Sequence, residues 1–501
     1  MRRRHFLQTT AIASAATSFG AAKAKSRNKV ETAEGHPNII LFYVDDLGWM
    51  DLGVQGSKFY ETPNIDRLAK EGVRYMQGYT PHPRCLPARY GVITGRFPAR
   101  GGVPGGKGHL QPEDRTMAQA LGAGGYKTCF AGKWHLAHEA ETLPQNMGFD
   151  VNIAAGAAGA PTTYFYPYRK KETDKLKKGW EIGLDKEYIA GMEDGKDGDY
   201  ITETMTTKCL DFIEDNSSNP FFLYLSHYGV HTPLEAPARL VKKYEAKLKT
   251  MKFDGPEYAL VDQATGRGDQ KMRQDNAVYA AMIESVDESL GRVFQTLEKL
   301  GIADNTIIAF TADNGGLSNR GETNGKISGR PLATSNLPLK TGKGWLYEGG
   351  IREAFIVKWP GVTKPGFVNE RDVVVGSDLF PTFLEMAGLP LQPKNHIDGI
   401  SIVPSLKGEM FKRGKPVFWH SPTSRPYSTG DTDSSAVRIG DYKLLEWYNA
   451  DHVELYDLSK DIGEQNDLSK KRPEKTAEML AVLQDWRKEI NAHTRDQSWG
   501  K

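Results

Sequence analysis

Four apolar runs along the chain have the pattern of strands that are buried on both faces of a parallel sheet. They are Asn38 to Val44 (NIILFYV), Phe221 to Leu225, Thr306 to Thr311 and, less clearly, Lys127 to Ala131. These runs are nearly unbroken and rich in β-branched and aromatic residues, whereas a half-exposed strand would alternate. Helical spacing of apolar residues marks the segments between them: Pro63 to Glu71, Met117 to Ala123, Ile201 to Asp215 and Asn276 to Leu300. This alternation predicts a wound α/β domain.

The pattern changes near Val374. Val373 to Val375, a helix over Leu379 to Ala387, and Ile400 to Leu406 complete the large domain. Beyond Gly408, short runs separated by Gly, Asp and Pro predict a small antiparallel sheet, with strands at Val417 to His420, Ala436 to Ile439, Lys443 to Trp447 and Val453 to Leu458. Pro473 to Ile490 then has the spacing of a closing helix. We therefore predict a catalytic domain over residues 36–408 and a small α+β subdomain over 409–501.

Three segments between these elements show no clear periodicity. We expect loops or insertions at Ala154 to Asp199, Thr250 to Gln274 and the Gly- and Asn-rich Asn314 to Gly344.

Polar side chains follow the predicted strands at the point where each one ends. Asp45 and Asp46 follow the first strand, and Asp313 and Asn314 follow Thr306 to Thr311. Ligands of open α/β sheets bind beyond the carboxyl ends of the strands. The two acidic pairs offer oxygen ligands suited to a hard cation such as Ca²⁺ or Mg²⁺ and no soft ligand for zinc. Each pair alone could instead form a turn or cap a helix.

Basic and imidazole side chains reach the same predicted edge from two other strands. Lys133 and His135 follow the strand at Lys127 to Ala131, and His231 follows Phe221 to Leu225. Four separate segments thus bring acidic, basic and imidazole side chains to one edge of the sheet, which predicts a catalytic site there.

Charge and composition exclude some functions. The 501 residues include 65 basic and 63 acidic ones, so the formal charge is only +2. A nucleic-acid-binding face would need clustered basic residues, which the chain does not show. No stretch of eighteen apolar residues follows the N-terminus, so we expect no stable membrane insertion.

The N-terminus has the layout of an export signal. Arg3 and Arg4 precede Phe6-Leu7 and a mildly apolar run, and small residues around Ala24 fit a cleavage site. We predict a twin-arginine-like signal peptide over residues 1–24 and a periplasmic or secreted bacterial protein. The alternative is a disordered basic tail.

One of the three cysteines stands in an unusual context. The cysteines, Cys85, Cys129 and Cys209, are odd in number and far apart, so they form no disulfide framework. Cys85 precedes a predicted helix over Ala88 to Thr94, whose free N–H groups, with Arg89 one turn along, would form an anion site. A lone cysteine in this position could also be buried and inert.

The segment around Cys85 resembles the signature of type I sulfatases, in which the cysteine is oxidised to formylglycine (3-oxoalanine). The matching residues are Cys85-x-Pro87-x-Arg89 followed by Thr94-Gly95-Arg96. Further blocks resemble that family in the same order: Gly132 to Leu136, Val230 to Pro233, Leu339 to Gly344 and Tyr347 to Arg352. The similarity runs from about Pro37 into the C-terminal region; Ala137, where a glycine is commoner, is a local departure. The resemblance implies an alkaline phosphatase-like fold, with a large, mostly parallel sheet between helices and a smaller C-terminal antiparallel sheet plus helix.

The resemblance also implies a role for each of these residues in sulfate ester hydrolysis. A Ca²⁺ ion, or Mg²⁺, would be held by Asp45, Asp46, Asp313, Asn314 and residue 85. The hydrated aldehyde of residue 85 would attack sulfur, and His135 would later take a proton so that sulfate leaves. Arg89 and Lys133 would hold the nucleophile, Lys343 would grip a sulfate oxygen, and His231 would protonate the leaving oxygen. A formylglycine-generating or sulfatase-maturating enzyme would be required as a partner.

Other residues are candidates for substrate recognition. His420 could reach the cleft from the small subdomain, Arg352 belongs to a matching block, and Trp345 with Tyr347 could stack on a sugar or pack in the core. Export and a mouth built partly by the small subdomain favour a sulfated polysaccharide or oligosaccharide as substrate. The alternatives are a phosphonate or phosphate monoester hydrolase of the same superfold, and a non-catalytic protein that binds sulfated glycans.

Overall fold

A computed structural model describes residues 35–103, 108–169, 183–184, 189–263, 266–448 and 450–492. The predicted signal peptide over residues 1–24 lies outside this part of the chain. Within the described part, no helix is long and apolar enough to cross a membrane.

The strands, in chain order, are β1 Asn38–Val44, β2 Val73–Tyr75, β3 Gly78–Tyr79, β4 Lys127–Gly132, β5 Val151–Ile153, β6 Phe221–Ser226, β7 Tyr258–Gln263, β8 Gly266–Lys271, β9 Thr306–Ala312, β10 Asn319–Thr323, β11 Lys326–Ile327, β12 Phe355–Lys358, β13 Phe367–Asn369, β14 Val374–Val375, β15 Val417–Ser421, β16 Ser434–Ile439, β17 Tyr442–Trp447 and β18 His452–Asp457. The helices are α1 Pro63–Glu71, α2 Cys85–Thr94, α3 Met117–Ala123, α4 Ile201–Asp215, α5 Ala238–Leu248, α6 Ala277–Lys299, α7 Glu348–Ile351, α8 Leu379–Met386, α9 Val403–Leu406 and α10 Pro473–Glu489.

The main sheet has eight strands in the order β13-β2-β12-β9-β1-β6-β4-β5. Strand β1 lies near its centre and pairs in parallel with β6 and β9, while β12 runs antiparallel to both of its neighbours. The other pairs are parallel. The prediction of a large, mostly parallel mixed sheet is therefore confirmed.

Helices cover both faces of this sheet, which explains the unbroken apolar runs. Ile40, Phe42 and Val44 of β1 pack into the core shared with α1, α4, α5 and α6. The alternate residues, Ile39 and Leu41 among them, pack into the core shared with α2, α3 and α8. A strand buried on both sides has no solvent face on which to place polar residues, so its first polar groups come where the strand ends.

A four-stranded sheet in the order β11-β10-β8-β7 was not predicted. It occupies much of the two segments that we expected to be loops, Thr250 to Gln274 and Asn314 to Gly344, and β8 pairs antiparallel with both β7 and β10. Strands such as Gly266–Lys271 (GRGDQK) have neither β propensity nor an apolar face. Pairing with its chain neighbour β7 and with the distant β10 makes this segment a strand.

The C-terminal sheet, β15-β16-β17-β18, is antiparallel throughout and packs against α10, as predicted. Its apolar core also takes in Trp345, Leu346 and Tyr347, which precede the predicted domain boundary. Residues on both sides of the predicted boundary between residues 408 and 409 therefore share one apolar core. The division into two domains stays a prediction.

Candidate active site

The carboxyl ends of β1, β9, β4 and β6 meet at one edge of the main sheet and build the site. Asp45 and Asp46 follow β1, Asp313 and Asn314 follow β9, and Lys133 follows β4. Asp46 and His135 have left-handed backbone conformations, with φ of 59° and 61°. Such conformations are costly for side chains other than glycine and persist where the surroundings enforce them, often at functional sites.

Three carboxylates and three cations interlock at this edge. The Lys133 ammonium lies 2.6 Å from Asp45 Oδ2, and Arg89 donates to Asp313 Oδ2 over 3.0 and 2.7 Å. All of these side chains are buried.

The third cation reaches the site from the segment after β11. Lys343 contacts both carboxylate oxygens of Asp46 at 2.6 and 2.7 Å. Asn314 also donates to Asp46 Oδ1 at 2.7 Å, and the Asp46 backbone N–H donates to Asp313 Oδ1 at 3.1 Å. The two acidic pairs, 267 positions apart in the chain, are thus joined directly.

The donor set fits a hard divalent cation. Oxygens of Asp45 and Asp313 and the Cys85 sulfur all lie within 4.8 Å of one another. Asp45 Oδ1 and Asn314 Oδ1 are buried and accept no hydrogen bond within the described structure. Buried oxygens are almost always satisfied, so a cation is the simplest partner for these two. The structure brings together the five residues that we predicted as ligands. Asp45, Asp313 and Cys85 lie within 4.8 Å of one another, and Asp46 is hydrogen-bonded to both Asn314 and Asp313.

Cys85 begins α2 and faces this cluster. The helix starts three residues earlier than predicted, so Cys85 is its first residue and Pro87 lies within its first turn, where a missing N–H costs no hydrogen bond. Burial raises the pKa of the Cys85 thiol, but the ammonium groups of Lys133 and Lys343 outweigh it and lower the pKa to about 7. Position 85 is therefore suited to an anionic or nucleophilic group.

His135 is a neutral ring beside these cations. Burial, then the charges of Lys133 and Arg89, lower its pKa well below the usual range. Its Nδ1 is buried and, among the described residues, has no hydrogen-bond partner. Gly159 packs against the ring so closely that an added Cβ would lie 2.6 Å from Nε2. His135 is thus held in place with a ring nitrogen available to accept a proton.

His231 lies on the other side of the acidic cluster. Its Nδ1 is 2.6 Å from the Thr232 carbonyl, and Nε2 is 3.6 Å from Asp46 Oδ2. A carbonyl can only accept, so Nδ1 carries the proton and Nε2 is the nitrogen directed at the site. Burial, with a contribution from Lys343, lowers the pKa of His231 to about 3 in the free site.

The formal charges of this cluster balance. Asp45, Asp46 and Asp313 carry three negative charges and Arg89, Lys133 and Lys343 carry three positive ones. Burial, with a contribution from the charge of Asp313, raises the pKa of the neighbouring Glu353 well above its usual range, which favours its uncharged form. A divalent cation would leave the cluster two charges positive, which favours an anionic substrate and an anionic nucleophile.

The three predicted substrate-binding residues are buried and make contacts within the protein. Trp345 is 1% exposed, and its indole donates to Thr429 O and packs on Tyr347 and Trp447. It belongs to the core, so it offers no ring face to a sugar. Its companion Tyr347 is buried there as well.

His420 and Arg352 are also buried. His420 is in β15, and its Nδ1 lies 2.7 Å from Ser435 Oγ. Arg352 binds Glu348 and the Met76 carbonyl, under the aromatic rings of Trp49 and Tyr79. The structure therefore shows contacts of both residues within the protein, and a role of either in substrate binding stays a prediction.

Two contributors were missed. Ser226, the last residue of β6, accepts from Arg89 at 2.6 Å and donates to Lys133 O at 2.8 Å. The strand-end pattern could have identified it, because it directly follows the apolar run. Asp431 forms a buried ion pair with Arg84, the residue before Cys85, and no local sequence signal marks it, since it is 347 positions away.

Comparisons with known proteins agree with this geometry. Residues 37–389 match the family model described as Sulfatase, and residues 341–493 match the one described as N-sulphoglucosamine sulphohydrolase, C-terminal. The chain is 33% identical to mouse N-acetylgalactosamine-6-sulfatase over 440 residues, covering 82% of this chain and 72% of that protein. It is 31% identical to a sulfatase of Formosa agariphila over 544 residues, covering 94% and 92%. The crystal structure of Ps i-CgsB in complex with k-i-k-neocarrahexaose superposes with a TM-score of 0.73 at 28% identity, covering 93% and 95%.

Proposed function

The chain belongs to the sulfatase family, within the alkaline phosphatase-like superfamily, and is a sulfuric ester hydrolase; we propose that it removes sulfate from carbohydrates with a formylglycine made from Cys85. We further propose that Ca²⁺, or Mg²⁺, is held by Asp45, Asp46, Asp313, Asn314 and residue 85. The observation that supports this most strongly is the position of Cys85, whose sulfur lies within 4.8 Å of carboxylate oxygens from two strand ends.

The modification and the metal would each supply one part of the chemistry. A hydrated aldehyde at position 85 has one hydroxyl that can attack sulfur and a second that can later lose its proton to expel sulfate. A divalent cation held by the acidic cluster would supply Lewis acidity toward the bound sulfate.

Residues next to position 85 would hold the nucleophile and control its protons. Arg89 is fixed by four hydrogen bonds, to Asp313, Lys133 O and Ser226, so it presents a positive charge at a fixed place. Lys133 adds a second charge, and fixed charges need no reorganisation when negative charge develops. His135, neutral and with a free ring nitrogen, is the base that takes the proton from the second hydroxyl.

Residues across the cluster would act on the substrate. Lys343 is the cation that pairs with Asp46. Its ammonium could move from the Asp46 carboxylate to a sulfate oxygen when a substrate binds. His231 Nε2 points into the site and carries no proton there in the free protein. The negative charge of a bound sulfate ester would favour protonation of this nitrogen, and that proton would be donated to the leaving oxygen. Sugar hydroxyls are poor leaving groups, so this proton matters most for a carbohydrate ester.

The substrate class is inferred from relatives. One relative is named for an N-acetylgalactosamine sulfate ester, and one similar structure was solved with a neocarrahexaose. A secreted or periplasmic enzyme would meet such polymers outside the cell, which agrees with the predicted leader. The cysteine chemistry would also require a maturating enzyme in the producing cell.

A substrate screen tests the proposal. The matured protein would be assayed against defined sulfated saccharides, nitrophenyl sulfate and a phenyl phosphonate ester. We expect the highest kcat/KM on a sulfated saccharide. Preference for the phosphonate ester would assign the chain to phosphonate hydrolysis, and tight saccharide binding without turnover of any ester would make it a glycan-binding protein.

A further inference from the structure

A loop of the C-terminal sheet packs against residues that flank the active site in sequence. This rim loop, residues 422–433, connects β15 to β16. Arg84, the neighbour of Cys85, donates to Thr423 O at 2.6 Å and forms a buried ion pair with Asp431.

The same loop is seated on the turn that carries Lys343. An added Cβ at Gly344 would lie 2.5 Å from Asp431 Oδ1, so this glycine permits the close approach. The Trp345 indole donates to Thr429 O at 2.8 Å. The rim loop therefore lies directly against the residues that flank both Cys85 and Lys343 in sequence.

Arg425 is the exposed cation of this loop. Its side chain keeps solvent contact, yet burial and the neighbouring Arg84 lower its pKa, and Cys85 and Arg330 are among the groups whose charges act on it. Arg425 is therefore a solvent-exposed cation on a loop that packs beside Arg84 and Gly344, the neighbours of Cys85 and Lys343.

Arg425 and Arg330 have no acidic partner of their own. Over the described residues, no carboxylate lies within ion-pair distance of either guanidinium; Asp431 is taken by Arg84, and Arg330 donates to Ser428 Oγ at 2.7 Å. Clustered like charges repel unless an anion offsets them. The planar guanidinium also matches carboxylate and sulfate groups in a bidentate manner.

We propose that Arg425, supported by Arg330, binds a second anionic group of the substrate beside the sulfate that is removed. The preferred substrates would then be sugars that carry either a further sulfate or a uronate carboxylate next to the scissile ester. This inference rests on the proposed function and refines it, since the cluster around Cys85 already accounts for the scissile sulfate.

The test compares saccharides that differ only in the second group. Wild type, Arg425→Ala, Arg425→Lys and Lys412→Ala would be assayed on a monosulfated sugar, on the same sugar with a second sulfate, and on it with a neighbouring uronate. Lys412 is the matched control, because it is an exposed cation of the same C-terminal region and its removal changes the net charge equally.

We expect Arg425→Ala to lower the preference for a two-anion substrate over the monosulfated one about 10-fold, as for loss of one charge-assisted hydrogen bond. The loss should appear in KM, because the contact is made equally before and during reaction. Arg425→Lys should retain part of the preference and Lys412→Ala all of it. The substrate whose turnover is lowered, the one with a second sulfate or the one with a uronate, shows which anionic group Arg425 binds. An unchanged preference in Arg425→Ala, or a wild type that does not discriminate, would overturn the inference.

A binding measurement separates this inference from the proposed function. Full-length Cys85→Ala, which cannot turn over, would be titrated with the same three saccharides with and without Arg425→Ala. A selective loss of affinity for a two-anion sugar supports the role of Arg425 even if the wild type hydrolyses none of these esters. Equal affinities would reject it even in an active sulfatase.

Discussion

His231 offers a test of roles within the site, because its predicted effect depends on the substrate. Its ring is fixed by the 2.6 Å contact between Nδ1 and the Thr232 carbonyl, with Nε2 directed at the Asp46 side of the cluster. The side chain is 15% exposed, so water can replace the ring as partner of the carbonyl in His231→Ala. We therefore expect the variant to fold with a thermal transition close to that of the wild type.

The size of the effect follows from the proton that would be lost. General acid catalysis contributes about 10²–10⁴-fold, or roughly 3–5 kcal/mol of transition-state stabilisation. A sugar hydroxyl needs this proton to leave, whereas nitrophenolate is stable without it. His231→Ala should thus lower kcat/KM on a sulfated sugar by about 10²–10⁴-fold and on nitrophenyl sulfate by much less.

Lys343→Ala is the comparison that makes the assay decisive. Lys343 would contact the sulfate, which both substrates share, so its loss should cost both about 10²–10³-fold, as for one oxyanion donor. His135→Ala should likewise show no dependence on the leaving group, because in the proposed mechanism His135 would act after the alcohol has gone. Equal losses on both substrates for His231→Ala would refute its role as the acid, and a leaving-group dependence for His135→Ala would mean that the two roles are exchanged.

Three further predictions address the metal, the packing and export. Elemental analysis should find about one divalent ion in the wild type and little in Asp313→Ala; equal metal in both would show that the ligands are misassigned. Ser226→Ala should lower the free energy of unfolding by about 1–3 kcal/mol, since it removes buried hydrogen bonds to Arg89 and Lys133 O, while Ser218→Ala at the surface should change it little; equal unfolding curves would contradict the network. Replacing Arg3 and Arg4 by lysine should leave precursor in the cytoplasm, whereas normal export would indicate a general secretory leader.

The charged cluster at the strand ends could be predicted because local sequence determines where each of its members stands. Asp45, Asp313 and Lys133 each follow an apolar run, and a strand buried on both faces fixes where the first polar residue can stand. The order of the strands then brings these ends together, with β1 between β6 and β9.

The surroundings of the site could not be predicted in the same way, because they depend on contacts between distant segments. Nothing local distinguishes a tryptophan that packs in a core, such as Trp345, from one that faces a ligand. The pairing of β8 with β10 and the Arg84–Asp431 ion pair join segments about 50 and 347 positions apart. Arg425, the proposed specificity residue, lies in the same loop as Asp431, so the substrate is harder to predict than the reaction.

The central claim is that residue 85, oxidised from cysteine, is the nucleophile. Peptide mass spectrometry across Arg84 to Arg89 measures the fraction of chains in which Cys85 has lost sulfur and two hydrogens and gained one oxygen. Preparations made with different levels of a maturating enzyme should show kcat on a sulfated sugar rising in proportion to this aldehyde fraction, and none at zero aldehyde. Full activity in protein that carries only the unmodified thiol would contradict the account.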